Sequence, residues 1–142
     1  MSTPPLHVLE TCLYVDDLEA AREFYVRVLG AKDFSGQAGS HVFLRLGGSL
    51  LFLFRPDASE VPTPPEKGLA IPTHGARGPG HVAFAIAPAD FDFWKGRLEE
   101  EGVPIERRID WPNGARSLYF RDPGGNSLEL AERTLWADVL SD

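Results

Sequence analysis

Two carboxylates, one imidazole and one phenyl ring stand at corresponding places in two copies of a repeated pattern. Glu10 opens the run Glu-Thr-Cys-Leu-Tyr-Val-Asp-Asp-Leu, and His81 opens His-Val-Ala-Phe-Ala-Ile-Ala-Pro-Ala-Asp, 71 positions on (81 − 10). Further along, Leu51-Phe52-Leu53 matches Leu128-Glu129-Leu130 at an offset of 77 (129 − 52). Successive strand side chains point to opposite faces, so parity sorts them. Thr11, Leu13 and Val15 take one face and Glu10, Cys12 and Tyr14 the other; Val82, Phe84 and Ile86 oppose His81, Ala83 and Ala85. Leu128 and Leu130 turn to the core, while Ser127, Glu129 and Ala131 face away, and Phe52 shares its side with Leu50 and Phe54. Taken singly, a Glu or His at a strand end is ordinarily just solvated. At matched repeat positions on the non-core face, Glu10, His81 and Glu129 can converge on a divalent cation and leave coordination positions for water or substrate.

The elements that must position these residues follow from patterning. Leu6 to Val15 reads as a strand, and Asp16 as the N-cap of a helix with Glu19 completing a capping box. Leu18, Ala21, Tyr25 and Val28 form the helix's apolar stripe, and Gly30 ends it. Residues 41–46 and 49–54 read as strands turned at Gly47-Gly48, with a short, weakly marked strand near Lys32-Asp33-Phe34. From Arg55 to Gly80, six prolines and four glycines break any ladder. The pattern then restarts: a strand at 81–87, a helix over about 88–101 with Phe91, Trp94 and Leu98 on one face, and strands at 103–108, 115–121 and 126–131. Asp122-Pro123-Gly124-Gly125-Asn126 is a hairpin turn explained by turn geometry. The layout is α+β: two βαβββ modules forming a curved, mostly antiparallel sheet with helices outside. Module 1 covers about residues 6–56, a linker about 57–79, module 2 about 80–131 and a tail 132–142.

Composition narrows the function. A chain of 142 residues with 43% hydrophobic and 25% charged residues suits one compact domain. A net charge of −7, with no basic run beyond Arg107-Arg108, speaks against nucleic acid. The single Cys12 excludes an intrachain disulfide and a multi-cysteine zinc site. The start, Met1-Ser2-Thr3-Pro4-Pro5, has no leader pattern, and no apolar run approaches the roughly 18 residues of a membrane helix. The expected setting is cytoplasmic and reduced, with no membrane partner.

Three blocks carry a family resemblance: Glu10-x-x-Leu-Tyr-Val-Asp-Asp-Leu-Glu-Ala-Ala-x-x-Phe-Tyr-x-x-x-Leu-Gly, Gly80-His-Val-Ala-Phe, and Tyr119-Phe-Arg-Asp-Pro-x-Gly-Asn-x-Leu-Glu-Leu. In order over roughly residues 7–131, they resemble the vicinal oxygen chelate superfamily, which includes glyoxalase I, bleomycin-resistance proteins, fosfomycin-resistance enzymes and extradiol dioxygenases. The resemblance implies ligand positions at Glu10, Phe52, His81 and Glu129. Phe52 cannot bind a metal, so the three-ligand branches fit better than the four-ligand glyoxalase I arrangement. Glu10, where many members have His, adds a hard ligand and favours Mn, Mg, Fe or Zn.

The expected function is a divalent-metal-dependent enzyme that chelates adjacent oxygens of a small substrate and stabilises an oxyanion. Glu10 or Glu129 would loosen to accept a proton. Isomerase, lyase, dioxygenase and transferase outcomes stay open. The alternative is a metal-free binding protein of the bleomycin-resistance type, favoured by Phe52 and the net charge. Around the metal, Phe52, Arg116 and the linker residue His74 are candidate substrate contacts; an arginine there can grip a carboxylate or phosphonate, or else form a surface salt bridge. Leu135, Trp136, Val139 and Leu140 make an apolar stripe suited to docking on the body or on a second subunit, and a homodimer is expected.

Overall fold

The computed structural model describes residues 2–140. The chain divides into two compact units, one ending at Arg77 and the other starting at Gly78. Each carries one four-stranded sheet.

In the first unit β1 (Glu10–Tyr14), α1 (Leu18–Leu29), β2 (Lys32–Gln37), β3 (His41–Leu46) and β4 (Ser49–Phe54) follow in order, then a single turn α2 (Pro56–Ser59). The sheet order is β1-β4-β3-β2, with β1 parallel to β4 and the remaining pairs antiparallel. The α1 stripe of Leu18, Ala21, Phe24, Tyr25, Val28 and Leu29 is buried. It packs on the sheet face that carries Leu13, Val42, Leu44, Leu51 and Leu53, all at most 7% exposed. Gly30 closes the helix in the left-handed conformation at φ 70°, where a Cβ would be strained.

Three boundaries differ from the sequence expectation. The first strand starts at Glu10, because Leu6, Val8 and Leu9 are exposed and pair with nothing in the ladder. The N-cap is Asp17, whose carboxylate accepts from the Ala20 amide at 3.0 Å; Asp16 stands one residue outside, so the Asp16–Glu19 capping box does not form. The weakly marked strand becomes six residues long, pairing with β3 across a bulge between Asp33 and Ser35.

The second unit repeats the plan with β5 (His81–Ile86), α3 (Phe91–Glu100), β6 (Arg107–Asp110), β7 (Arg116–Arg121) and β8 (Ser127–Glu132) in the order β5-β8-β7-β6. Again the outer pair, β5 with β8, is parallel. Residues 103–106 stay outside the ladder, so β6 is shorter and later than the 103–108 expected. A 3-10 turn (Arg133–Trp136) and α4 (Ala137–Leu140) end the described chain, with Trp136, Val139 and Leu140 mostly exposed. Both units are therefore βαβββ, and the fold is α+β. Among the described residues no helix is long and apolar enough to cross a membrane.

The cap assignment has a direct test. Asp17→Ala should lower the unfolding free energy by about 1 kcal/mol in urea titration, whereas Asp16→Ala should stay within roughly 0.5 kcal/mol of wild type.

Candidate metal and substrate site

Strand register decides which side chains meet. In the second unit Ala83 lies opposite Glu129 and His81 opposite Ser127, so His81 and Glu129 are diagonal neighbours on one face. His81 Nε2 lies 3.3 Å from Glu129 Oε1. His81 Nδ1 stands 2.9 Å from the Ser127 carbonyl, an atom that can only accept, so Nδ1 carries a hydrogen and, with the ring neutral, the lone pair lies on Nε2. Metal-binding histidines are ordinarily oriented in this way. Ala83 and Ala85 leave room beside the pair.

Glu129 is only 5% exposed and Ser117 is fully buried. Ser117 Oγ donates to Glu129 Oε2 at 2.6 Å, and Trp111 Nε1 donates to Ser117 Oγ at 2.9 Å. Tyr119 stands directly opposite Glu129 in the ladder, on the same face of the sheet. Burial first, and the nearby Glu129 second, push the Tyr119 hydroxyl above its ordinary pKa. The Tyr119 and His81 rings stack at 6.2 Å. The turn before β8 takes part as well: buried Asn126 accepts from the Gly80 amide at 2.8 Å, which fixes the residue preceding His81.

In the first unit, Glu10, Cys12 and Tyr14 share the face away from α1 with Leu50, Phe52 and Phe54. That face is aromatic. Phe52 stacks on Phe43 at 3.9 Å, and Phe43 on His41 at 4.6 Å. His74 sets its ring edge-to-face on Phe54 at 4.5 Å, with Nδ1 2.6 Å from the Tyr14 hydroxyl. The segment carrying it is tied down by His74 N–H donating to Ser59 O and by the Arg77–Glu60 ion pair. Burial raises the Tyr14 pKa and lowers that of His41 below the ordinary 6.5. Cys12 is raised too, by burial and then by Glu10.

Two of the three candidate substrate contacts, Phe52 and His74, thus belong to one aromatic face. Arg116 does not share the face of His81 and Glu129, and its expected role is corrected. It alternates with Ser117 and so lies on the helix side with Leu118 and Phe120. There its guanidinium bonds Glu132 at 2.7 and 3.0 Å, reaches the Pro88 carbonyl at 3.3 Å, and sits 4.0 Å over the Phe91 ring. The salt bridge weighed as the plainer reading is the one observed, with a side-chain carboxylate only 3% exposed as partner.

A cleft of about 760 Å³ beside the start of α1 is rimmed by Asp16, Asp17, Arg22, Asp33 and Arg55. It contains none of the candidate residues. Neither unit by itself gathers three His, Cys, Asp or Glu side chains at one point among the described residues. The second unit supplies the oriented His81–Glu129 pair, and Glu10 stands on the first.

This duplicated βαβββ plan coincides with a sequence model that matches residues 6–130, nearly the whole chain. The chain belongs to the glyoxalase/bleomycin resistance protein/dioxygenase superfamily. Its sequence is 30% identical to the glutathione transferase FosA of Serratia marcescens over 118 residues, 83% of this chain and 74% of that protein. The metallothiol transferase FosB of Bacillus licheniformis matches at 39% over 51 residues, only a third of that protein (35% of this chain, 33% of FosB). The crystal structure of a lactoylglutathione lyase from Agrobacterium tumefaciens superposes with a TM-score of 0.88 at 42% identity, covering 94% of this chain and 98% of that one.

Sequence reasoning missed Ser117 and Tyr119, and weighed Trp111 only as pocket lining or plain packing. Ser117 and Tyr119 alternate with Leu118 and Phe120, and pairing that strand with the Glu129 strand would have put them on the Glu129 face.

Two measurements follow. Arg116→Ala should lower the melting temperature by several degrees, because Glu132 is left buried without its partner, while metal affinity stays unchanged. For His41 the folded state withholds a proton that the unfolded state accepts, so stability falls as pH drops below 6.5. His41→Gln should flatten that part of a urea-unfolding pH profile.

Proposed function

We propose that the chain is a divalent-metal-dependent enzyme acting on a small oxygen-rich compound, with Glu10, His81 and Glu129 as the metal ligands. The observation that carries this reading is the His81–Glu129 pair, with Nε2 and Oε1 at 3.3 Å and the far ring nitrogen committed to a backbone carbonyl. One imidazole and two carboxylates form a mixed nitrogen and hard-oxygen set, suited to Mn, Fe, Zn or Mg. A bound ion supplies Lewis acidity that stabilises negative charge developing on substrate oxygens. His81 holds its lone pair in a fixed direction and needs no tautomeric change. Between them, Glu10 and Glu129 supply a ligand and the proton acceptor that acid–base chemistry next to a carbonyl requires.

Support for an enzyme also comes from the relatives, which are named as a lyase and as two transferases, one of them a metallothiol transferase. The ring-rich face of Phe43, Phe52, Phe54 and His74 suits the apolar body of a substrate. The same face favours a second reading, a protein that sequesters an apolar compound without metal, and metal content separates the two. We further propose a two-fold homodimer, the commonest closed assembly of soluble proteins.

Tag-free protein should contain about one transition-metal ion per chain by elemental analysis. His81→Ala should lose it while keeping its circular dichroism spectrum; retained metal in that variant sinks the proposed site. Light scattering at micromolar concentration should give twice 15.6 kDa, and a mass that stays at the single-chain value at every concentration removes the dimer.

A further inference from the structure

The two carboxylates of the proposed ligand set stand in opposite circumstances. Glu129 is 5% exposed and held from several directions. Trp111 Nε1–H can only donate, so Ser117 Oγ must be the acceptor of their 2.9 Å bond. The one hydroxyl hydrogen of Ser117 is then committed to Glu129 Oε2, at 2.6 Å. With Oε2 occupied, the oxygen facing His81 is Oε1. A 111–114 turn, closed by Trp111 N–H donating to Ala115 O and Gly114 N–H donating to Trp111 O, holds the indole in place. Glu10, by contrast, is the exposed first residue of β1, and its side chain has no hydrogen bond or ion pair among the described residues.

We propose that Ser117, backed by Trp111, is a positioning residue that makes Glu129 the permanent carboxylate ligand and leaves Glu10 as the exchangeable one. The proposal rests on the metal-dependent reading above. The serine hydroxyl selects one rotamer and one free oxygen of Glu129, so the ion meets a preformed His81–Glu129 couple. Glu10 would have to be ordered at the moment it binds, and would be the more readily exchanged of the two carboxylates.

The test uses Mn²⁺ alone as probe, with free Mn²⁺ read by electron paramagnetic resonance in titrations of the full chain. Ser117→Ala should weaken the ion's dissociation constant by about 10–100-fold, with an unchanged circular dichroism spectrum. Ser117→Thr, which keeps the hydroxyl, should restore most of the affinity. Trp111→Phe removes only the indole donor; a weakening of a few fold is expected, and this variant decides the matter if Ser117→Ala does not fold. Glu129→Gln should cost far more affinity than Glu10→Gln. Wild-type affinity in folded Ser117→Ala, or equal losses in the two glutamine variants, overturns the proposal while leaving the metal site standing. A wild-type chain that binds no Mn²⁺ overturns both.

Discussion

Parallel pairing between the first and last strands of each unit is the constraint on which the candidate chemistry depends. A parallel pair cannot be closed by a tight hairpin; it needs a crossover. Here the crossover is the helix and the two strands that follow it. The result brings the start of each unit alongside its end, so that Glu129 meets His81 from 48 positions earlier (129 − 81). The two ladders share one register. Ala83 faces Glu129 with His81 two residues before it, and Cys12 faces Phe52 with Glu10 two residues before it. Phe52 is thus the first unit's counterpart of Glu129, and it spends that position on stacking with Phe43.

The pleat then divides labour. On the helix side, Leu44, Leu53, Leu118, Phe120 and Leu128 are fully buried and supply the apolar driving force. On the other side, side chains are free to differ between units without disturbing that core. One unit fills the face with aromatic rings, the other with hydroxyls, an imidazole and a carboxylate. A buried polar group is costly unless its hydrogen bonds are made. That cost explains why Glu129 comes with Ser117, and why Ser117 comes with Trp111.

Much of this was legible in the residues. The repeat, the period-two alternation and the Gly30 stop mark the βαβββ plan, and parity alone separates Glu10, His81 and Glu129 from the core leucines. Parity also places Arg116 on the helix side, once its strand is read together with Leu118 and Phe120. The shift of the helix cap from Asp16 to Asp17 was not legible, because adjacent aspartates are equal as caps until the backbone turns. Nor was the Tyr14–His74 bond, which joins residues 60 positions apart through a proline-rich segment with no periodicity. The Trp111–Ser117–Glu129 chain needed a register between two strands that only the fold supplies.

Strand β8 carries two buried acidic residues three positions apart, Glu129 and Glu132, and the pleat sends them to opposite sides of the same sheet. Glu132 meets a guanidinium that is always charged. Glu129 has one oxygen bonded by the Ser117 hydroxyl and the other 3.3 Å from the His81 ring, and neither neighbour carries a fixed positive charge. One strand therefore contains both a reference and a specimen: an acid whose counter-charge is encoded in the chain, and an acid whose counter-charge is left to the surroundings. Transplanting an arginine to the second position would settle the local electrostatics at once.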